Sequence, residues 1–367
     1  MKTLTNSLII VLMLFAASCN NNSKKNDIPP PAPPDPPVID TPLVKLGAYY
    51  FGGWYEGSSH IKPALVNDFP ERRPVWGWIT NTADAMKAQI DLAADAGLYF
   101  FSFCWYFNTQ DLTENRPANN AITLFRNAPN KKRLKFCFLV ANHDGYRINP
   151  QNWPALKEHW KNAFKDSAYL RVDGKPLIIF FDPSNLVVNF GGAEPLKNML
   201  NNFRDELKAM GLPGAVIAGC PSTSANGISG AVAAGFDALS GYNYHSSGFS
   251  SEIATPISNM TNAEANVIWP RFINSGVYYI PVATLNWDVR PWSTTPLTEK
   301  YFTGFGKSSV ENSVKAIKKW ILDNPASTTK EKLGILYAWN EYGEGGWLTP
   351  SDILKDSLLQ GLKAGLK

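Results

Sequence analysis

A chain of 367 residues has room for one large domain or two average ones, and at 44% hydrophobic and 18% charged it can bury a sizeable core, which excludes a disordered chain. A formal charge of +4 is small for this length and no long basic run appears, which argues against a nucleic-acid partner. The 12 Trp and 14 Tyr serve either as core filler or as flat faces for the apolar side of sugar rings.

Residues 1–18 read as a signal peptide: Lys2 supplies a positive start, and Leu8 to Ala17 form an apolar run too short to span a bilayer comfortably. Ala16-Ala17-Ser18-Cys19 then reads as a lipobox, with small residues before a Cys whose thiol would carry the lipid; Ala16 stands where Leu is usual. The competing reading is an ordinary signal peptide with an incidental Cys. Residues 19–43 follow as a polar and Pro-rich spacer, with prolines from Pro29 to Pro37. The expectation is an exported bacterial lipoprotein, held at the outer membrane or cell surface or facing the periplasm, with the membrane as a partner through Cys19.

From residue 44 to the C-terminus, apolar β-rich runs alternate with helical patterns. The predicted strands are Leu46–Tyr50, Tyr99–Cys104, Lys135–Val140, Leu177–Phe181, Ala215–Ala218, Ala238–Tyr242, Tyr279–Thr284 and Gly334–Ala338. They are short and apolar on both faces, as strands covered on both sides must be. Between them, Thr82 to Ala96 carries an apolar stripe that Gly97 can cap, and Leu196 to Met210 places apolar residues at helical spacing. Val314, Ile317 and Ile321 form a third stripe stopped by Pro325, and Leu354, Leu358 and Leu362 a fourth. Less regular helices are expected near Trp153–Phe164 and Asn262–Ser275. Strand–helix alternation of this kind predicts an α/β protein with a parallel sheet, here a single (β/α)8 TIM barrel. Gly52-Gly53-Trp54-Tyr55 lacks the glycine spacing of a dinucleotide-binding open sheet.

In such a barrel, chemistry sits on the loops after the C-terminal ends of the strands. Those loops hold Tyr50, Trp54, Trp105, His143, Asp144, Tyr242, Tyr244, Asn286, Trp287, Asp288 and Arg290, and finally Trp339-Asn340-Glu341-Tyr342-Gly343-Glu344-Gly345-Gly346. Aromatic rings, amides and carboxylates with few basic groups suit a neutral polyhydroxylated ligand, an oligo- or polysaccharide, better than a phosphate. Each has a plainer alternative: Trp54, Trp105 and Trp287 as packing, His143 and Asp144 as loop caps, Asp288 and Arg290 as an internal ion pair. Tyr242 and Tyr244 both follow the sixth strand, and one of them is expected to face the barrel mouth. Asp182, before Pro183, is a turn former or an acid. Cys104, Cys137 and Cys220 lie in apolar runs and read as buried small hydrophobes. Four His without HxH or HxxxH spacing do not suggest a metal, no GxSxG elbow appears, and no cofactor is expected.

The eighth loop is the sharpest signal. Glycoside hydrolysis needs one carboxylic acid to protonate the leaving oxygen and a second carboxylate on the anomeric side. Glu341 and Glu344, three residues apart in a glycine-rich turn, can converge on one spot, where their closeness would keep one of them protonated.

Trp339-Asn340-Glu341-Tyr342-Gly343-Glu344-Gly345 resembles the WNEWxEG motif of glycoside hydrolase family 99, the endo-α-mannosidases and endo-α-mannanases, and of the related WbsX-like proteins. Gly47 to Tyr55 is similar to that family's first strand, Pro74–Trp78 with Ala88–Ala93 to the approach to its first long helix, and Gly97 to Phe107 to its second strand. The likeness runs from about Leu46 to the C-terminus. It implies a TIM barrel without a metal and retention of configuration at an α-linkage. It also implies that Glu344 is the general acid/base and that Glu341 deprotonates the sugar's own 2-hydroxyl, which attacks the anomeric carbon. A tyrosine after the sixth strand lines that family's site, and Tyr242 or Tyr244 matches it. Tyr342 and Gly345-Gly346-Trp347-Leu348-Thr349-Pro350 depart from the family's pattern at the pocket wall. The expected function is a retaining glycoside hydrolase on α-linked glycans. The alternative is a catalytically silent glycan-binding lipoprotein on the same barrel.

Overall fold

The computed structural model describes residues 43–367; the leader, Cys19 and the Pro-rich spacer lie outside them. The apolar runs form parallel strands. β1 (Lys45–Tyr50) pairs with β2 (Phe100–Trp105), and β3 (Lys135–Val140), β4 (Lys175–Phe180), β5 (Val216–Gly219) and β6 (Ala238–Leu239) follow in order. β7 (Tyr278–Tyr279) pairs with β6, while β8 (Val282–Thr284) pairs with β9 (Leu333–Tyr337), which returns to β1. Every residue of β2 is buried, as expected where helices cover one face and packed side chains the other.

The seventh predicted strand, Tyr279–Thr284, is therefore two short pieces. Pro281 has no N–H to give to a ladder, and the strand breaks there. Around the break the Ile280 N–H donates to the Leu239 carbonyl (2.8 Å), and the Pro281 carbonyl accepts from the Ile335 N–H (2.9 Å). One stretch of chain thus bonds to β6 at one end and to β9 at the other, and the sheet is strongly curled. The sixth strand stops at Leu239 instead of Tyr242, because the Tyr244 ring folds back over Gly241, its hydroxyl 2.2 Å from where a Cβ would stand.

Helices connect the strands and cover the outer face. Ala83–Asp95 begins where the Thr82 side chain accepts the Ala85 N–H (3.2 Å), and Gly97 leaves it at φ +94°. Ala193–Ala209 buries Leu196, Leu200, Phe203 and Leu207, and Lys307–Asp323 buries Val310, Val314, Ile317 and Ile321. Each such side chain contributes about 1.5–3 kcal/mol by leaving water. Trp153–Phe164 is a regular helix whose Trp153 and Trp160 pack on Phe180 and Phe203. The segment read as one helix over Asn262–Ser275 is three unlike turns: α over Ser258–Ala263, π over Glu264–Ile268 and 3-10 over Trp269–Phe272. Pro270 ends regular bonding there, and Glu264 turns inward to accept the Thr284 N–H (2.7 Å). Helices over Arg116–Asn127, Pro183–Asn189 and Ala225–Ala233 are added to these, and the fourth apolar stripe lies on Ser357–Leu366, which buries Leu358 and Leu362 and leaves Leu354 before its start.

Candidate active site

After β9 the chain makes a tight hairpin. Asn340 pairs with Trp347 and Glu341 with Gly346, leaving Tyr342 to Gly345 as the turn. The hairpin carries both glutamates, Glu341 at its last strand pair and Glu344 in the turn, and neighbouring residues bolt it down. The Trp339 N–H donates to the Tyr49 carbonyl (2.8 Å) and its indole N–H to Gln89 (2.9 Å). The Asn340 side chain pairs with both backbone groups of Phe51 (2.7 and 2.8 Å), and its carbonyl accepts the Trp54 indole N–H (2.7 Å). From the other side, the Asp288 N–H donates to the Glu344 carbonyl (2.7 Å) and Asn286 to the Gly345 carbonyl (2.8 Å).

The hairpin forms one wall of a cavity of about 340 Å³ at the C-terminal ends of the strands. Phe51, Tyr55 and His60 line it from the loop after β1, and Tyr106 and Asn115 after β2. His143 and Tyr146 follow β3, Phe181 follows β4, Tyr242 follows β6, Trp292 follows β8, and Glu341 and Glu344 follow β9. No Arg or Lys is among the lining residues. Among the described residues, no group of His, Cys, Asp and Glu is arranged to hold a metal ion.

Glu341 is 3% exposed and accepts the Tyr242 hydroxyl on Oε1; Glu344, partly exposed, accepts the Tyr337 hydroxyl on Oε2. Burial and the neighbouring Glu344 charge push Glu341 well above the usual carboxylate range, against the pull of Tyr242. Burial pushes Glu344 up to about 7, against the pull of Tyr337. The charge of Glu344 raises Glu341, so the two titrate as a pair. Such an arrangement can give a proton from one carboxyl and take one with the other. Cys104 also lines the cavity, its thiol pushed far up by burial and by Glu341, so it stays an inert neutral group.

The remaining predicted residues divide clearly. Tyr242 and His143 line the cavity with the glutamates. Tyr50, Trp54, Trp105 and Trp339 are fully buried in packing: Tyr50 against Phe101 and Phe103, Trp54 against Tyr342, Trp105 against Trp160, Trp339 against Phe101. Asn340 and Asn286 hold backbone rather than facing the cavity. The Tyr244 hydroxyl meets that of Tyr279 (2.9 Å), away from the glutamates. Asp144 is exposed and paired with Arg147 (2.8 Å). Trp287 stacks on His245 with centroids 3.7 Å apart. Asp288 and Arg290 form the internal ion pair (2.7 Å), joined by Arg72 (2.5 Å), which the sequence reading did not include. Burial pushes the Asp288 carboxyl up, but the two guanidiniums outweigh it and hold it below its ordinary value. Asp182 caps the helix after β4, accepting the Asn185 N–H (3.0 Å).

Gly343, between the glutamates, has its own constraint. A Cβ there would stand 1.9 Å from two ring atoms of Trp292, whose indole N–H is tied to the His60 carbonyl (2.9 Å). Gly343→Ala is therefore expected to lower stability by about 1–3 kcal/mol through overpacking and to lower activity with it. Activity and Tm unchanged from wild type would show that Trp292 moves aside freely.

The family described as "Glycosyltransferase WbsX" matches residues 78–362, and the chain belongs to that family. No curated protein matches it. A solved "glycoside hydrolase-like protein" shares 16% identity over 88% of this chain and 94% of its own, with a TM-score of 0.64. A GH99 endo-alpha-mannosidase from Bacteroides thetaiotaomicron shares 16% identity over 88% of this chain and 96% of its own, with a TM-score of 0.55. The same enzyme in complex with BIS-TRIS-propane gives 16%, 87%, 94% and 0.56. The fold is shared with these structures.

Proposed function

We propose that the protein is a retaining glycoside hydrolase that cleaves α-linked glycans, with α-mannosides and endo action as the leading case, on a single (β/α)8 barrel closed through residues 278–284. The reading rests above all on Glu341 and Glu344 sharing one cavity, each gripped by a tyrosine hydroxyl. Glu344 gives its proton to the glycosidic oxygen. Glu341 accepts the proton of the sugar's 2-hydroxyl as that oxygen attacks the anomeric carbon; water then opens the resulting 1,2-anhydro ring, giving a proton to Glu344 while Glu341 returns its proton to the 2-oxygen. The family's description as a glycosyltransferase would call for a nucleotide-sugar donor, and a cavity lined by no Arg or Lys offers its phosphates no partner. The hydrolase is further proposed to work as an exported lipoprotein anchored at Cys19, with an oligo- or polysaccharide as its partner.

The direct test is reducing-sugar release from α-mannan and other α-glycans by wild type, Glu341→Gln and Glu344→Gln. Turnover by wild type alone supports the reading; glycan binding without turnover by wild type would replace it with a silent binding protein.

The pair also sets a pH dependence. With Glu344 as acid, kcat/KM is expected to fall as pH rises through about 7. Stability moves the same way. A carboxyl raised in the fold binds its proton more tightly in the native than in the unfolded chain, so between the ordinary 4.5 and about 7 the native state carries more protons and stability falls as pH rises. Tm measured across that window should decline less in Glu344→Gln than in wild type; equal slopes would mean that Glu344 is not raised.

A further inference from the structure

Both glutamates are bound by tyrosines, but the two tyrosines differ in origin. Tyr242 comes from the loop after β6, whereas Tyr337 is the last residue of β9, seven positions before the carboxyl it holds. Tyr337 is fully buried, and its ring stands edge-on to Tyr242 with centroids 4.9 Å apart, so its hydroxyl has a fixed direction. That hydroxyl meets Glu344 at Oε2. Among the described residues no group bonds to Oε1. The Glu344 backbone is held as well, by the Asp288 N–H at its carbonyl. The residue is therefore held at its backbone and at one carboxyl oxygen, with the other oxygen free.

We infer that Tyr337 is a positioning residue that decides which oxygen of Glu344 carries the catalytic proton, keeping it on Oε1 by donating its own hydroxyl hydrogen to Oε2. This deepens the glycosidase reading and rests on it. A neutral carboxylic acid has one O–H and one carbonyl oxygen, and the oxygen already receiving a hydrogen bond is the carbonyl one. Tyr337 has no second role open to it: burial and the two glutamate charges keep its phenol protonated, so it remains a donor throughout. In the reaction, the Oε1 proton passes to the glycosidic oxygen while the C–O bond breaks and its electron pair stays on that oxygen. Glu344 becomes a carboxylate, and the bond from Tyr337 becomes charge-assisted and stronger. Tyr337 thus selects the oxygen before the step and stabilises the charge after it. Tyr242 does the converse at Glu341, occupying Oε1 and leaving Oε2 free to accept.

Loss of one charge-assisted hydrogen bond corresponds to about a 10- to 100-fold fall in rate. Tyr337→Phe is expected to show that fall on α-mannan and little on α-mannobiosyl fluoride, whose leaving group depends far less on protonation. Removing a donor that favours the charged form should also raise the pKa of Glu344, so the basic limb of the pH profile moves above about 7. Replacing Tyr337 by 3-fluorotyrosine keeps the shape, strengthens the donor and should move the limb the other way; it also covers the case in which the Phe variant does not fold. The infrared carbonyl band of protonated glutamate, followed against pH in isotope-labelled protein, reads the same shifts without turnover. Equal losses on both substrates with an unmoved limb and band would reduce Tyr337 to packing and overturn the inference. If wild type cleaves no glycan, the glycosidase reading fails, and the infrared titration alone then decides proton placement: shifted bands keep it, unshifted bands end it.

Discussion

Glu344→Gln is expected to fold normally and to lose about 10²- to 10⁴-fold in kcat/KM on an unactivated α-linked oligosaccharide, the range that a positioned general acid contributes. The amide keeps the volume and still offers an oxygen to the Tyr337 hydroxyl, so the clamp on the side chain survives. What disappears is the transferable proton. A like charge beside Glu341 is also removed, which lets that group ionise more easily. The variant should therefore be at least as stable as wild type above about pH 7, where Glu344 would otherwise carry charge in a buried place. A folded variant within a few-fold of the wild-type rate would remove Glu344 from the chemistry.

The second large effect is on stability. Arg72 is 2% exposed, and its guanidinium donates to the Asp288 carboxylate (2.5 Å), the Asp288 carbonyl (2.9 Å) and the Tyr342 carbonyl (3.0 Å), with Phe69 beneath it at 4.3 Å. Asp288 in turn gives its N–H to the Glu344 carbonyl. Arg72 therefore ties the loop after β8 to both sides of the catalytic turn. Arg72→Met leaves two buried carbonyls unpaired and Asp288 with Arg290 alone. Breaking a buried pair from one side costs about 3–5 kcal/mol, a fall in Tm on the order of 10 °C. Arg72→Lys restores charge without the planar fork and should recover only part of it. A loss below about 1 kcal/mol, the level of an exposed pair, would show that Arg290 suffices to hold Asp288.

The parallel strands were legible because each is an apolar run that helices must cover, and so was the glycine-rich turn with its two glutamates, because it follows the last apolar run, where a barrel carries its chemistry. The functions of the neighbours were not legible. Trp339 and Asn340 look like sugar-binding types, yet the hairpin register turns them toward Gln89 and Phe51. Tyr337 closes an apolar strand, and nothing local distinguishes its hydroxyl from that of a core tyrosine. Tyr106, Tyr146, Phe181 and Trp292 sit on four different loops, and their meeting is a property of the curled sheet. Arg72 finds Asp288 across 216 residues, a pairing that no spacing rule reports.

The most direct measurement is a crystal structure of Glu344→Gln soaked with an α-linked mannooligosaccharide. If these two carboxyl positions meet over a single sugar, the map will show a glycosidic oxygen within about 3 Å of the side chain at 344 and a 2-hydroxyl at the same reach from Glu341. Sugar bound elsewhere on the surface, with the cavity empty and both side chains turned into packing, would contradict it.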